Sequence, residues 1–261
     1  MAEKVEKDKQ HEVYSKNFLD KVIVRLDFAS PLVGVNESVP IEIAKYVTSS
    51  FPIKDPGKDV RSGHIEFKNG EVNAQSQLVG KEWRFHGAKR DKTVCIASQW
   101  VWIEYRAYQS VDVLRSEFLD LVNVLFEAYK DKIVVNRFGM RYINKITEGK
   151  NPISWETYIN DKLLCSIDIA EDKNTISRAF NMMGFNYDDM YMTFQFGIFN
   201  PDYPAPVRRK EFTLDFDAYC QGYIEQTSIS TYFEKFHDKI KKSFEECITE
   251  ELRKVMRNDG K

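Results

Sequence analysis

The sequence predicts an α+β protein in which a curved, mostly antiparallel sheet carries long helices packed across it. Three observations lead there. Period-two alternation of apolar and polar residues recurs through most of the chain. Aromatic residues make up 13% of the composition, as broad packed sheet faces favour. Two long segments, beginning near Ser110 and Thr231, instead repeat apolar residues at spacings of three and four.

Lys21 to Ala29 reads as a strand, because Val22, Val24, Leu26 and Phe28 fall on one face and Arg25 and Asp27 on the other. Pro40 opens a short helix that stops before Pro52. From Val60 to Tyr108 turn residues at 68–70 and 89–92 divide a meander of three or four strands, and the last of these, apolar on both faces around Trp100 and Trp102, is expected to be central. Ser110 caps a helix whose Val113, Leu114, Phe118, Leu121, Val122, Leu125 and Phe126 form one stripe. Ile133 to Ile146 is the next strand, with Val134, Phe138, Met140, Tyr142 and Ile146 opposite Arg137, Arg141 and Lys145.

Three more strand regions are predicted at 163–170, 176–199 (with an internal turn near 186–189) and 209–223. Thr231 and Glu234 then form a capping box for a single long C-terminal helix. The chain thus divides into a mobile tail (1–15), a β-α-β-β-β-α-β half (16–150) and a half of antiparallel strands plus long helix (151–261), the two sharing one compact unit. Leu-Asp-Phe recurs at 26–28 and 214–216, each ahead of a helix, which raises a duplication of two similar β-α halves.

Composition narrows the function. With 261 residues the chain can bury roughly 73% of its unfolded surface, so no disulfide or metal staple is required. Lysine plus arginine (38) nearly balances aspartate plus glutamate (40), so tight nonspecific binding to duplex DNA is not expected. Cys95, Cys165, Cys220 and Cys247 form no C-x-x-C pair, which fits a reducing cytoplasm. No signal-peptide pattern or membrane-length apolar run is present. Nucleotide-binding and hydrolase motifs are absent, and no residue pattern names a cofactor.

The segments NRFGMRYINKI (136–146) and FHDKIKKSFEECITEELRKVM (236–256) carry a resemblance. The chain resembles a sporadically distributed family of prokaryotic conserved hypothetical proteins of similar length, whose members have an arginine-tyrosine-isoleucine-asparagine strand and a closing helix with His-Asp and Phe-Glu-x-x-Ile-Thr. The resemblance spans the whole chain and implies an accessory gene. It brings no activity, cofactor or partner.

The residues offer two candidate sites. Arg137, Arg141 and Lys145 project from one strand face at intervals of roughly 13 Å, a stripe suited to a ligand or partner contact. Arg141 borders the gap left by Gly139, which predicts a role in binding more than in stability. Asn144, on the opposite face, needs amide partners if buried. Asp27, Asp215 and Asp217 lie on predicted strands and could hold a metal ion. His11, His64, His86 and His237 have no ligand spacing. The leading expectation is a non-catalytic binding or assembly module, with a protein partner or a second copy, acting through the basic strand face or a groove between sheet and helix. The alternative is a metal-dependent enzyme on nucleic acid or nucleotides, with the three aspartates at the metal and Arg137 or Arg141 on phosphate.

Overall fold

A computed structural model describes residues 14–68, 71–130 and 132–258, the side chains of 64–68 and 71–75 excepted. Its centre is an open ten-stranded antiparallel sheet in the order β2-β4-β5-β6-β1-β7-β10-β9-β8, with β3 paired to β4 beside that path. The strands are β1 (Leu19–Phe28), β2 (Ile53–Lys54), β3 (Lys58–Lys68), β4 (Glu71–His86), β5 (Lys92–Ala97), β6 (Trp100–Tyr105), β7 (Val135–Ile146), β8 (Ala179–Tyr187), β9 (Met190–Ile198) and β10 (Phe212–Ile224). The helices are α1 (Ile41–Ser50), α2 (Val111–Tyr129), α3 (Cys165–Asp168), α4 (Gln226–Cys247) and α5 (Glu250–Arg257). The α+β reading with a curved antiparallel sheet is therefore what the structure shows, and β6 lies inside the sheet between β5 and β1.

One face of the sheet carries the core. Val22, Val24 and Leu26 of β1, Phe138 and Met140 of β7 and Phe216 of β10 are sealed there against the helices. Helix α2 begins as its sequence dictates, with the Ser110 side chain accepting from the Val113 amide. Its Leu114, Phe118, Leu121, Val122, Leu125 and Phe126 are buried, whereas Val113 and Val134, assigned to apolar stripes, are exposed. Phe118 stacks on Phe138, and Phe236 of α4 packs on the same ring. The segment between β7 and β8 joins this layer through Trp155, whose ring packs on Phe212.

The strand expected at 163–170 is a 3-10 turn (Asp161–Leu163) followed by α3. Asn160 starts it by accepting from the Lys162 amide, and the inward residues Leu164 and Ile167 lie three apart, a helical rather than an extended spacing. The single C-terminal helix is two. Ile248 is extended and bridges Ile159, and Thr249 then caps α5 by accepting from the Leu252 amide. The Thr231–Glu234 capping box lies inside α4, which starts five residues earlier; Glu234 instead pairs with Arg115 of α2.

The mobile tail assigned to 1–15 lies outside the described residues up to position 13, as do His11, the side chain of His64 and the turn residues 69–70. Tyr14 and Ser15 are held: the Tyr14 hydroxyl donates to Glu245 (2.8 Å) and Ser15 to the Met256 carbonyl (3.1 Å).

Strand order is symmetric about the β1–β7 seam. On one side run β1, β6, β5, β4 and on the other β7, β10, β9, β8. Leaving aside β2, β3 and α5, each half of the chain reads β-α-β-β-β-α, so the division falls after α2 and not at residue 150: β7 heads the second unit. The two Leu-Asp-Phe triplets sit on β1 and β10, which are not equivalent in this symmetry, so the strand order does not relate them.

Candidate functional site

The second face of the sheet, away from the helices, is polar, and its centre lies on the seam. Alternation sends Ile23, Arg25 and Asp27 of β1 to this side, and the antiparallel register brings them beside Arg141, Gly139 and Arg137 of β7. β6 adds Trp102 and Glu104 and β10 adds Asp217, enclosing an open pocket of about 440 Å³.

Its charges compensate one another. Three arginines, Arg25, Arg137 and Arg141, face three carboxylates, Asp27, Glu104 and Asp217. Arg25 donates to Asp27 through Nε (2.9 Å), and Arg137 bridges Asp27 (3.5 Å) and Asp217 (3.4 Å). Arg141 holds Asp215 with both arms of its fork, at 2.8 and 2.6 Å. Lys145 stands 3.5 Å from Asp20. The basic strand is thus a row of ion pairs, and every cation in it already has an acid.

Aromatic rings complete the surface. The Arg25 guanidinium lies over Trp100 (5.1 Å), Arg84 over Trp102 (5.7 Å) and Arg137 over Tyr219 (4.7 Å), which is itself stacked on Tyr191 (5.5 Å). Guanidinium planes suit such positions because their weak hydration lets them rest on π faces while their N–H groups stay available at the edge.

Arg137, Arg141 and Lys145 do share one face, as the alternation requires, but Asn144 does not join them. It is buried on the helix side, where its amide donates to the Leu214 carbonyl across the strand pair (3.3 Å). The pocket opens beside Arg141 at Gly139, as the sequence suggested, and a Cβ there would meet the Arg137 guanidinium at 3.0 Å, so the glycine also makes room for that fork. Asp27, Asp215 and Asp217 are each taken by arginine, and among the described residues no group of three or more His, Cys, Asp or Glu stands close enough to hold a metal ion. Trp102, Arg25, Glu104 and Tyr219 belong to the site although only their strand alternation hinted at it.

Burial raises the pKa of Asp217 above its usual 3.8, an effect opposed by Arg137 and Arg141. A carboxyl that binds its proton more tightly when folded makes stability fall as pH rises through the window above its unfolded value. Asp217→Asn, which fixes the neutral form, should match or exceed the wild-type urea midpoint at neutral pH. The wild type should close any difference as the pH is lowered; a lower midpoint for the variant at neutral pH would refute this balance.

A second concavity of about 460 Å³ lies on the helix side, between the start of α2, α4 and the C-terminal end of β7. Tyr142 is hydrogen-bonded to Tyr108 (3.3 Å) and to His237 Nδ1 (3.1 Å) at its floor. Burial pushes the Tyr108 hydroxyl up to about 12 and that of Tyr142 well above the usual phenol value, so both phenols stay protonated. This is the groove between sheet and helix that the sequence suggested, and the sheet separates it from the arginines.

Among the described residues no helix is long and apolar enough to cross a membrane. Comparison with protein-family models and with curated proteins returned no match.

Proposed function

We propose that the chain is a non-catalytic binding module whose open sheet face receives a polypeptide segment of a partner protein at the β1–β7 seam. One observation carries the reading: the face away from the helices presents arginines already held by carboxylates, Arg25 by Asp27, Arg84 by Glu82 and Arg137 by Asp27 and Asp217, and laid over Trp100, Trp102 and Tyr219. Tryptophan, tyrosine and arginine are the residues on which protein interfaces concentrate their affinity. A polyanion would bring its charges against the carboxylates that already neutralise each arginine. A polypeptide, carrying both signs of charge and neutral amides, can bond to the free edges of the forks without separating the pairs. For the same reason binding to random duplex DNA at physiological salt should stay weaker than micromolar. In keeping with the family resemblance, we place the protein in the cytoplasm of a prokaryote, as an accessory-gene product.

Peptides selected from a random library for binding to the full chain test this. They should quench or shift the tryptophan fluorescence and lose at least ten-fold in affinity to Trp102→Ala, about 1.4 kcal/mol. Two results overturn the reading: selected peptides indifferent to Trp102→Ala, or a single-stranded RNA that binds this face more tightly than any peptide.

A further inference from the structure

The two ends of the sheet are built differently. At one end β2 is two residues long, and β3 carries Lys58, Asp59 and Arg61. Short strands and charges are the usual means of preventing an edge from pairing with another chain. At the other end β8 runs for nine residues, AFNMMGFNY, without a charge or a proline. It pairs with β9 residue for residue from Ala179 to Tyr187 with no bulge, so its outer row of amide and carbonyl groups is straight and regular. Among the described residues no backbone hydrogen bond reaches that row from any other element. The flanks are apolar and open: Met182 on the polar side of the sheet is 71% exposed, Met183 on the helix side 46%, and Ile169, just after the α3 turn that packs against β8, 87%.

We propose that β8 is a self-association edge, on which a second copy of this chain pairs its own β8 antiparallel across a two-fold axis, continuing the sheet through both subunits. Three features favour a second copy as occupant. A strand without charge meets itself without opposing like charges, whereas a charged edge such as β3 would not. A two-fold axis through Met183 sets Met182 of each copy opposite Gly184 of the other, and a Cβ at Gly184 would meet nothing within 4 Å, so the glycine leaves space for the longer side chain. The same register sets Phe180 opposite Asn186 and Asn181 opposite Phe185, again on matching faces. Isologous pairing of this kind closes at two subunits and leaves the seam site of each copy free.

Sedimentation equilibrium of the full chain from micromolar to millimolar concentration tests the proposal. A dimer is expected, with Met183→Lys shifting it to monomer by weakening association at least ten-fold, because it sets two ammonium groups against each other at the axis. Met183→Glu should do the same, and mixing the two variants should restore a heterodimer. Loss of folding could not produce that rescue. Far-ultraviolet circular dichroism checks that each variant remains folded, and Met182→Lys, at the more exposed position, serves as the second edge variant. The proposal is overturned by a wild type that stays monomeric throughout, by a dimer that persists unchanged in the lysine variants, or by folded lysine and glutamate variants that do not recombine.

Discussion

Phe138→Ala should lower the unfolding free energy by about 3–5 kcal/mol, the range for removing a large aromatic side chain from a close-packed core. Phe138 is fully buried on β7 at the seam of the sheet. Its ring lies parallel to Phe118 of α2 at 5.5 Å and tilted against Phe236 of α4 at 5.2 Å, so both long helices rest on it. In register it stands between Leu26 of β1 and Cys220 of β10, whose backbones are fixed by continuous antiparallel ladders. A cavity there cannot collapse by moving one helix alone, since α2 and α4 would have to shift together. Urea unfolding should show a lower midpoint with an unchanged slope. Val134→Ala, at a half-exposed position before the same strand, should stay within about 0.5 kcal/mol of wild type. A Phe138→Ala loss below about 1 kcal/mol would mean that the helices do not depend on this ring.

The residues that made the fold legible are those whose neighbours in sequence are also their neighbours in space. The stripe on α2, its Ser110 cap and the alternation on β1 and β7 depend only on local spacing, and apart from the exposed Val113 and Val134 each is found where the sequence put it. Segment 163–170 misled because its apolar residues suit either period. The choice was made by Asn160, whose side chain caps a turn. The break at Ile248 depends on a bridge to Ile159, 89 residues away, which no local pattern announces. The site follows the same division. Strand alternation places Arg137 and Arg141 on one face, but their acids come from β1 and β10, and pairing across strands is fixed by topology alone. That topology turned a stripe of charge into a neutral network, and with it the aspartates that looked like metal ligands became counter-ions. Asn144 was correctly set opposite the arginines by alternation, and its backbone partner was what the sequence could not supply.

Arg141→Ala is expected to cost about 2–4 kcal/mol, somewhat less than the loss on breaking a fully sealed ion pair. The size follows from the other member of the pair. Asp215 is only 6% exposed, and both of its carboxylate oxygens are bonded to the Arg141 fork. Removing the arginine leaves a buried charge without its two charge-assisted hydrogen bonds, a state costlier than the loss of the attraction itself. The discount reflects the Arg141 side chain, 39% exposed beside the pocket, where water can enter and hydrate part of the orphaned carboxylate. An arginine serving binding more than stability, as the sequence suggested, would leave the urea midpoint nearly unchanged. The two accounts separate in the double variant. If the cost is an uncompensated carboxylate, Arg141→Ala with Asp215→Ala removes the cause and should recover a measurable part of the loss, giving a favourable coupling between the two positions. A double variant no more stable than Arg141→Ala alone, or a single variant at the wild-type midpoint, would show that the pair does not hold the seam together and would return Arg141 to ligand binding alone.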